Sequence, residues 1–176
     1  PKVPRTTAPT WQGQKVEGDF KFYKGCPIWH MTDRAVRFHA GRVTADKSQG
    51  AIRDVLRIWL TFPGKIEELI VDQESAFASD EMGIWMQRRG IKRRVVPKDS
   101  HLGIIERHGE MIVQAMRILD MTVEQEGMQL EVEDLLWECL SANNSTNEIG
   151  GYTPMQGMLG REPEWARMQV SADDEL

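Results

Sequence analysis

The sequence has only two cysteines, two tyrosines and four histidines in 176 residues. Cys26 and Cys139 lie far apart and follow no metal-ligand spacing, which excludes a disulfide scaffold and a cysteine/histidine zinc module. They are expected as buried free thiols in a reducing compartment. No stretch approaches the roughly 20 apolar residues that a membrane span needs, so no membrane partner is expected. Nor does the start, Pro1-Lys2-Val3-Pro4-Arg5, show the apolar run of a signal peptide. Internal repeats and low-complexity tracts are lacking too. Beginning at Pro rather than Met, the chain reads as a piece of a longer polyprotein whose flanking domains lie elsewhere.

What is present suits one globular unit. Hydrophobic residues make up 40% and charged residues 28%, enough for a core inside a soluble surface. The net charge of −5 runs against general affinity for phosphates. Its distribution is uneven, however. Arg88, Arg89, Lys92, Arg93, Arg94 and Lys98 form a basic run, and the C-terminal third is acidic.

Residues 1–14, rich in Pro and Thr, read as a linker. From Lys15 to Phe22 the apolar residues Val16, Phe20 and Phe22 alternate as in a strand, with Glu17, Asp19 and Lys21 on the other face. Lys24-Gly25 makes a turn. A second strand through Ile28-Trp29-His30-Met31 and a third from Phe38 to Val43 complete an antiparallel meander. Ser48 is an N-cap for a helix whose stripe is Ile52, Val55, Leu56, Trp59 and Leu60, ended by Pro63-Gly64. Leu69-Ile70-Val71 is a continuous apolar run, the mark of a strand buried on both faces, and Asp72 closes it. Ser79 caps a short helix through Met86. A strand follows from Ile91 to Val96, then a loop from Lys98 to Gly103. A long helix runs from Ile104 towards Glu124, and another from Leu130 to Ser141. Hairpins followed by β-α-β-α units imply an α/β fold, a five-stranded mixed sheet flanked by helices.

Open α/β sheets carry their sites at the carboxyl ends of strands. Asp72 is at such an end, Asp19 lies in a first strand that is central if the fourth pairs beside it, and Glu106 is in the first turn of the long helix. Carboxylates that converge need a cation, and an oxygen-only set selects a hard ion such as Mg²⁺. Two such ions roughly 3.5–4 Å apart activate a nucleophile and stabilise the leaving oxygen of a phosphodiester. Glu110, one turn beyond Glu106, is the alternative third acid. Asp33 is expected to be structural, and the tryptophans mostly packing residues. His101 and His108, flanking Glu106, are read as loop and helix packing residues or as groups touching DNA.

The phrases around these acids resemble a known family. Val16-Glu17-Gly18-Asp19-Phe20, then Trp29-His30-Met31-Thr32-Asp33-Arg34-Ala35-Val36-Arg37-Phe38, resembles the opening of retroviral and long-terminal-repeat retrotransposon integrase cores. Trp59 to Gly64 and Asp72-Gln73-Glu74-Ser75-Ala76-Phe77 are similar to the segments before and at the second acid. Ser100-His101-Leu102-Gly103-Ile104-Ile105-Glu106-Arg107-His108-Gly109 is similar to the start of the helix bearing the third. Gly151-Tyr152-Thr153-Pro154-Met155-Gln156 and Leu159-Gly160-Arg161-Glu162-Pro163 resemble the closing phrases.

That resemblance implies an RNase H-like catalytic core over residues 15–165 and an acidic tail over 166–176. It implies Mg²⁺ or Mn²⁺ held by Asp19, Asp72 and Glu106, and trimming of DNA 3′ ends followed by strand transfer. DNA contacts fall to Arg93, Lys98, His101 and Arg107. It further implies a homodimer or larger assembly acting on element ends and target DNA in the nucleus. Two other readings stand beside it, a degenerate or domesticated binding module without activity and an RNase H-like nuclease.

Overall fold

A computed structural model describes residues 9–62, 64–72, 75–97, 102–148 and 150–160. Strand β1 (Lys15–Tyr23) is followed by β2 (Cys26–Asp33) and β3 (His39–Val43). Lys24 and Gly25 join the first two with positive φ of 47° and 79°, the two-residue turn of a tight hairpin. Helix α1 (Gln49–Thr61) starts where Ser48 Oγ accepts the N–H of Ala51 at 3.3 Å. Then come β4 (Glu68–Asp72), α2 (Ser75–Ala78), α3 (Asp80–Gln87) and β5 (Lys92–Val96). The chain continues with α4 (Gly103–Gln125), α5 (Val132–Thr146) and α6 (Pro154–Leu159).

The strands form one mixed sheet in the order β3-β2-β1-β4-β5. β1 pairs antiparallel with β2 and parallel with β4; β5 continues the parallel half. The fourth strand therefore does lie beside the first, and β1 is central.

Alternation along the strands sends two sets of side chains to opposite faces. Val16, Phe20, Trp29, Met31, Leu69 and Val71 pack against Ile52, Leu56 and Trp59 of α1 and Met82 and Met86 of α3. On the other face Tyr23 and Ile28 meet Ile112 and Met116 of α4 and Leu135, Leu136 and Leu140 of α5. Each such side chain, fully buried, contributes about 1.5–3 kcal/mol. The run Leu69-Ile70-Val71 is buried throughout, as its lack of alternation predicts.

Two short helices escaped the periodicity. α2 is a single turn. α6 carries a complete capping box, in which Thr153 Oγ1 accepts the N–H of Gln156 and Gln156 Oε1 accepts the N–H of Thr153. Residues 9–14, expected as linker, include docked backbone. Gly13 donates to Asp33 Oδ2 at 2.6 Å, and its carbonyl accepts the N–H of Glu67 at 2.7 Å. Cys139 is buried but Cys26 only half-buried, because its position at the hairpin turn keeps it near solvent.

Candidate active site

The β1–β4 ladder runs in register through Gly18 and Val71. The next residue on each strand is an acid, Asp19 on β1 and Asp72 on β4. Both point to the α4 face. Glu17, two residues before Asp19, accepts the backbone N–H of Ile105 in α4, and Ile70, two before Asp72, packs against Leu102 and Ile105. The two aspartates thus stand side by side on one face, Asp19 in the middle of β1 and Asp72 at the carboxyl end of β4, one residue past the last paired positions of the ladder.

Glycines let this geometry form. A Cβ on Gly18 would sit 2.4 Å from the Trp29 ring, so the residue before Asp19 has no room for a side chain. A Cβ on Gly109 would lie 2.5 Å from Lys21 Cε and 2.8 Å from His30 Nε2. Helix α4 comes down onto β1 and β2 there, three residues beyond Glu106.

Asp19 is largely buried, its side chain 16% exposed. Its Oδ1 accepts the N–H of Phe20 at 2.7 Å and its Oδ2 pairs with Lys21 Nζ at 3.1 Å. Asp72 is half-buried and pairs in register with Val96 of β5. Glu106 is half-buried in the first turn of α4, whereas Glu110 is exposed. Among the described residues, no group of three histidine, cysteine or acidic side chains is gathered closely enough to hold a metal ion. The fold therefore pairs the two aspartates and puts Glu106 in the adjoining helix turn without closing the three into one cluster. The donor set is still oxygen-only and anionic, which fits a hard divalent ion.

Glu17 was placed on the Asp19 face by alternation but given no role. It is 2% exposed. Its Oε2 caps α4 through Ile105 at 2.9 Å and its Oε1 lies 3.4 Å from Arg34 Nη1. Burial pushes its carboxyl up, Arg34 and the Ile105 N–H act against that, and the Glu106 charge adds to it. A helix that begins at Leu102 without a side-chain cap of its own draws that cap from the sheet instead.

Behind Asp19 the sheet carries a buried histidine pair. His30, the cross-strand partner of Asp19, sits with Nδ1 2.8 Å from His39 Nε2, and the His39 ring meets that of His108 edge-on at 5.5 Å. Burial drives His30 down to about 3 and His39 well below its ordinary value. Both are neutral packing residues, as is His108, which burial also lowers. Asp33 is fully buried and structural, accepting the N–H groups of Gly13, Ala35 and Val36.

The expected DNA-contacting residues divide. The Arg93 guanidinium donates to the carbonyls of Phe77 and Ser79, tying β5 to the start of α3. Arg107 is exposed on α4. Lys98 and His101 lie outside the described residues.

No protein-family model and no curated protein matches the chain. Solved structures do. The HTLV-2 integrase catalytic core domain in complex with magnesium, in dimeric form, superposes with a TM-score of 0.73 at 16% identity, over 84% of this chain and 97% of that one. A chain of the simian T-cell lymphotropic virus intasome gives 0.75 at 16% identity, over 92% of this chain and 64% of that one. The catalytic core domain of BIV integrase gives 0.70 at 15% identity, over 90% and 99%. The fold of this chain is the RNase H-like α/β fold of retroviral integrase catalytic cores.

Proposed function

We propose that this chain is the catalytic core of an integrase-type polynucleotidyl transferase that processes DNA 3′ ends and joins them to target DNA. The observation that carries this reading is the placement of Asp19, midway along β1, beside Asp72 at the carboxyl end of the parallel strand β4. Support comes from the likeness of fold to a core described with magnesium.

Asp19 and Asp72 would hold Mg²⁺ or Mn²⁺, with Glu106 as the third acid. Glu110 is less suited, being exposed. When bound, the ion supplies charge neutralisation at the phosphodiester and activation of a water or a 3′ hydroxyl. The chain's own part is positioning. Glu17 holds the first turn of α4, and so the backbone bearing Glu106, against β1. Lys21 offsets the Asp19 charge. Gly109 keeps sheet and helix close, and Gly18 leaves room for the Trp29 ring.

DNA would approach from the Arg107 and Glu106 turn, with Lys98 and His101 as further contacts. Self-association is supported by the exposed apolar residues Ile118, Met121 and Trp137 on α4 and α5, the last 65% exposed. No helix among the described residues is long and apolar enough to cross a membrane. With DNA as substrate the proposed place of action is the nucleus, after synthesis within a polyprotein.

Duplex DNA incubated with the chain and Mg²⁺ or Mn²⁺ tests the reading. Asp19→Asn, Asp72→Asn and Glu106→Gln are expected to lower cleavage on the order of 100-fold or more at unchanged folding, and Glu110→Gln to leave it largely intact. Cleavage that survives Asp72→Asn contradicts the assignment.

The second reading, a binding module without activity, draws support from the Lys21–Asp19 ion pair and the lack of a three-acid cluster among the described residues. It requires a folded wild type that binds DNA but neither binds metal nor cuts. The nuclease reading needs a fourth available acid. Glu17, on the right face, is already engaged by Ile105 and Arg34.

A further inference from the structure

On the flank of α4 turned towards α5, a cleft of about 450 Å³ is lined by Arg37, Gly103, Ile104, Arg107, His108 and Asn143. Its polar lining includes two arginines, a histidine and an asparagine. Arg37 Nη1, His108 Nδ1 and Asn143 Nδ2 are all buried atoms with no hydrogen-bond partner. Asn143 Oδ1 accepts from Asn147 Nδ2 at 2.6 Å, which fixes the amide with its NH₂ group unspent. Leu102 gives no side-chain cap to the helix end that lines the cleft.

Arg37 is held there at some cost. It has φ of 62°, a left-handed conformation unusual for a side chain of this kind. Its nearest acids are spent elsewhere. Both Asp33 oxygens accept backbone N–H groups, and both Glu17 oxygens serve Arg34 and Ile105. Among the described residues no carboxylate comes within ion-pair distance of the Arg37 guanidinium. Burial, and then Arg34, lower its pKa from the ordinary value, against the opposing charges of Glu17 and Asp33. Glu148, the acid among the described lining residues, is exposed.

A buried donor without a partner costs about 1–3 kcal/mol, and the three residues that carry these atoms line one cleft beside a second arginine, which calls for a shared acceptor. We propose that this cleft binds a phosphate-type oxyanion, with Arg37, Asn143 and His108 donating to its oxygens and Arg107 supplying further charge. Planar guanidinium groups and tetrahedral oxyanions match in geometry. The cleft shares the first turn of α4 and Arg107 with the proposed DNA approach, but it uses none of the three acids and stands whether or not they bind metal.

The test titrates inorganic phosphate against chloride at matched ionic strength and without divalent ions. It reads the melting temperature and the amide shifts of Gly103 and Ile104. Wild type is expected to show a saturable, phosphate-specific rise and shift. Arg37→Asn, which tolerates a positive φ, is expected to weaken binding about tenfold or more, and Arg107→Gln to weaken it several-fold. Absence of any phosphate-specific effect in wild type, or unaltered binding in Arg37→Asn, overturns the proposal. If Arg37→Asn fails to fold, Arg107→Gln at the surface decides alone, and wild-type affinity in that variant overturns it. A single-stranded oligonucleotide identifies the source. Displacement by phosphate means that the site takes a backbone phosphodiester; undisturbed oligonucleotide binding alongside phosphate binding means a free phosphate. Both results support the site.

Discussion

The carboxylate of Glu17 on β1 accepts the N–H of Ile105 at 2.9 Å, so the central strand of the sheet caps the helix that carries Glu106. Removing it leaves Arg34, itself mostly buried, without its acid, and an unsatisfied donor at the helix start. Glu17→Ala is expected to cost about 2 kcal/mol or more in urea unfolding, and Glu17→Gln, which keeps an acceptor, less. Equal stability of both variants and wild type would show that the cap does not matter.

Gly109 marks the closest approach of α4 to β1 and β2. Gly109→Ala gains helix propensity yet forces its methyl group into Lys21 and the His30 ring. Overpacking of this kind costs about 1–3 kcal/mol, larger than the roughly 1 kcal/mol propensity gain. A net loss in thermal unfolding is expected; a more stable variant would mean that Lys21 swings aside freely.

Asp33 offers a third test, away from the acids. Three backbone N–H groups converge on its fully buried carboxylate. Asp33→Ala is expected to destabilise by about 3 kcal/mol and to loosen residues 9–14 through loss of the Gly13 contact, visible as faster amide exchange there.

Acid sensitivity should follow from the His30–His39 pair. Both are held below the ordinary value of 6.5 in the fold, His30 at about 3. The unfolded chain therefore binds the extra protons first. The stability they contribute is complete above pH 6.5 and falls as pH drops from there towards 3, by up to about 1.4 kcal/mol per pH unit for each proton taken up. Unfolding free energies measured between pH 7 and 5 should decline, with a shallower slope in His39→Asn. A flat profile would contradict the burial of the pair.

Much of this was legible in advance because it depends on local pattern. The apolar run before Asp72 announced a strand buried on both faces, and alternation placed Glu17, Asp19 and Lys21 together. Other features depend on what folds over them. Nothing near Glu17 in the chain tells that Ile105 will land on it. Nothing in the basic run tells that Arg93 will turn to the carbonyls of Phe77 and Ser79. α2 is too short to show a period. Thr153-Pro154-Met155-Gln156 carried a helix-start signature whose meaning as α6 emerges only with the cap in place. Trp137 shows the converse, an apolar residue at helical spacing that the fold leaves in solvent.

In the proposed function Asp19, Asp72 and the Glu106 turn share one divalent ion. Paramagnetic broadening of backbone amides by substoichiometric Mn²⁺ measures it directly. The expected result is broadening centred on Asp19 and Asp72 together with the first turn of α4, reversed by excess Mg²⁺ and absent in Asp72→Asn. Broadening centred elsewhere, or none in a folded wild type, would contradict it.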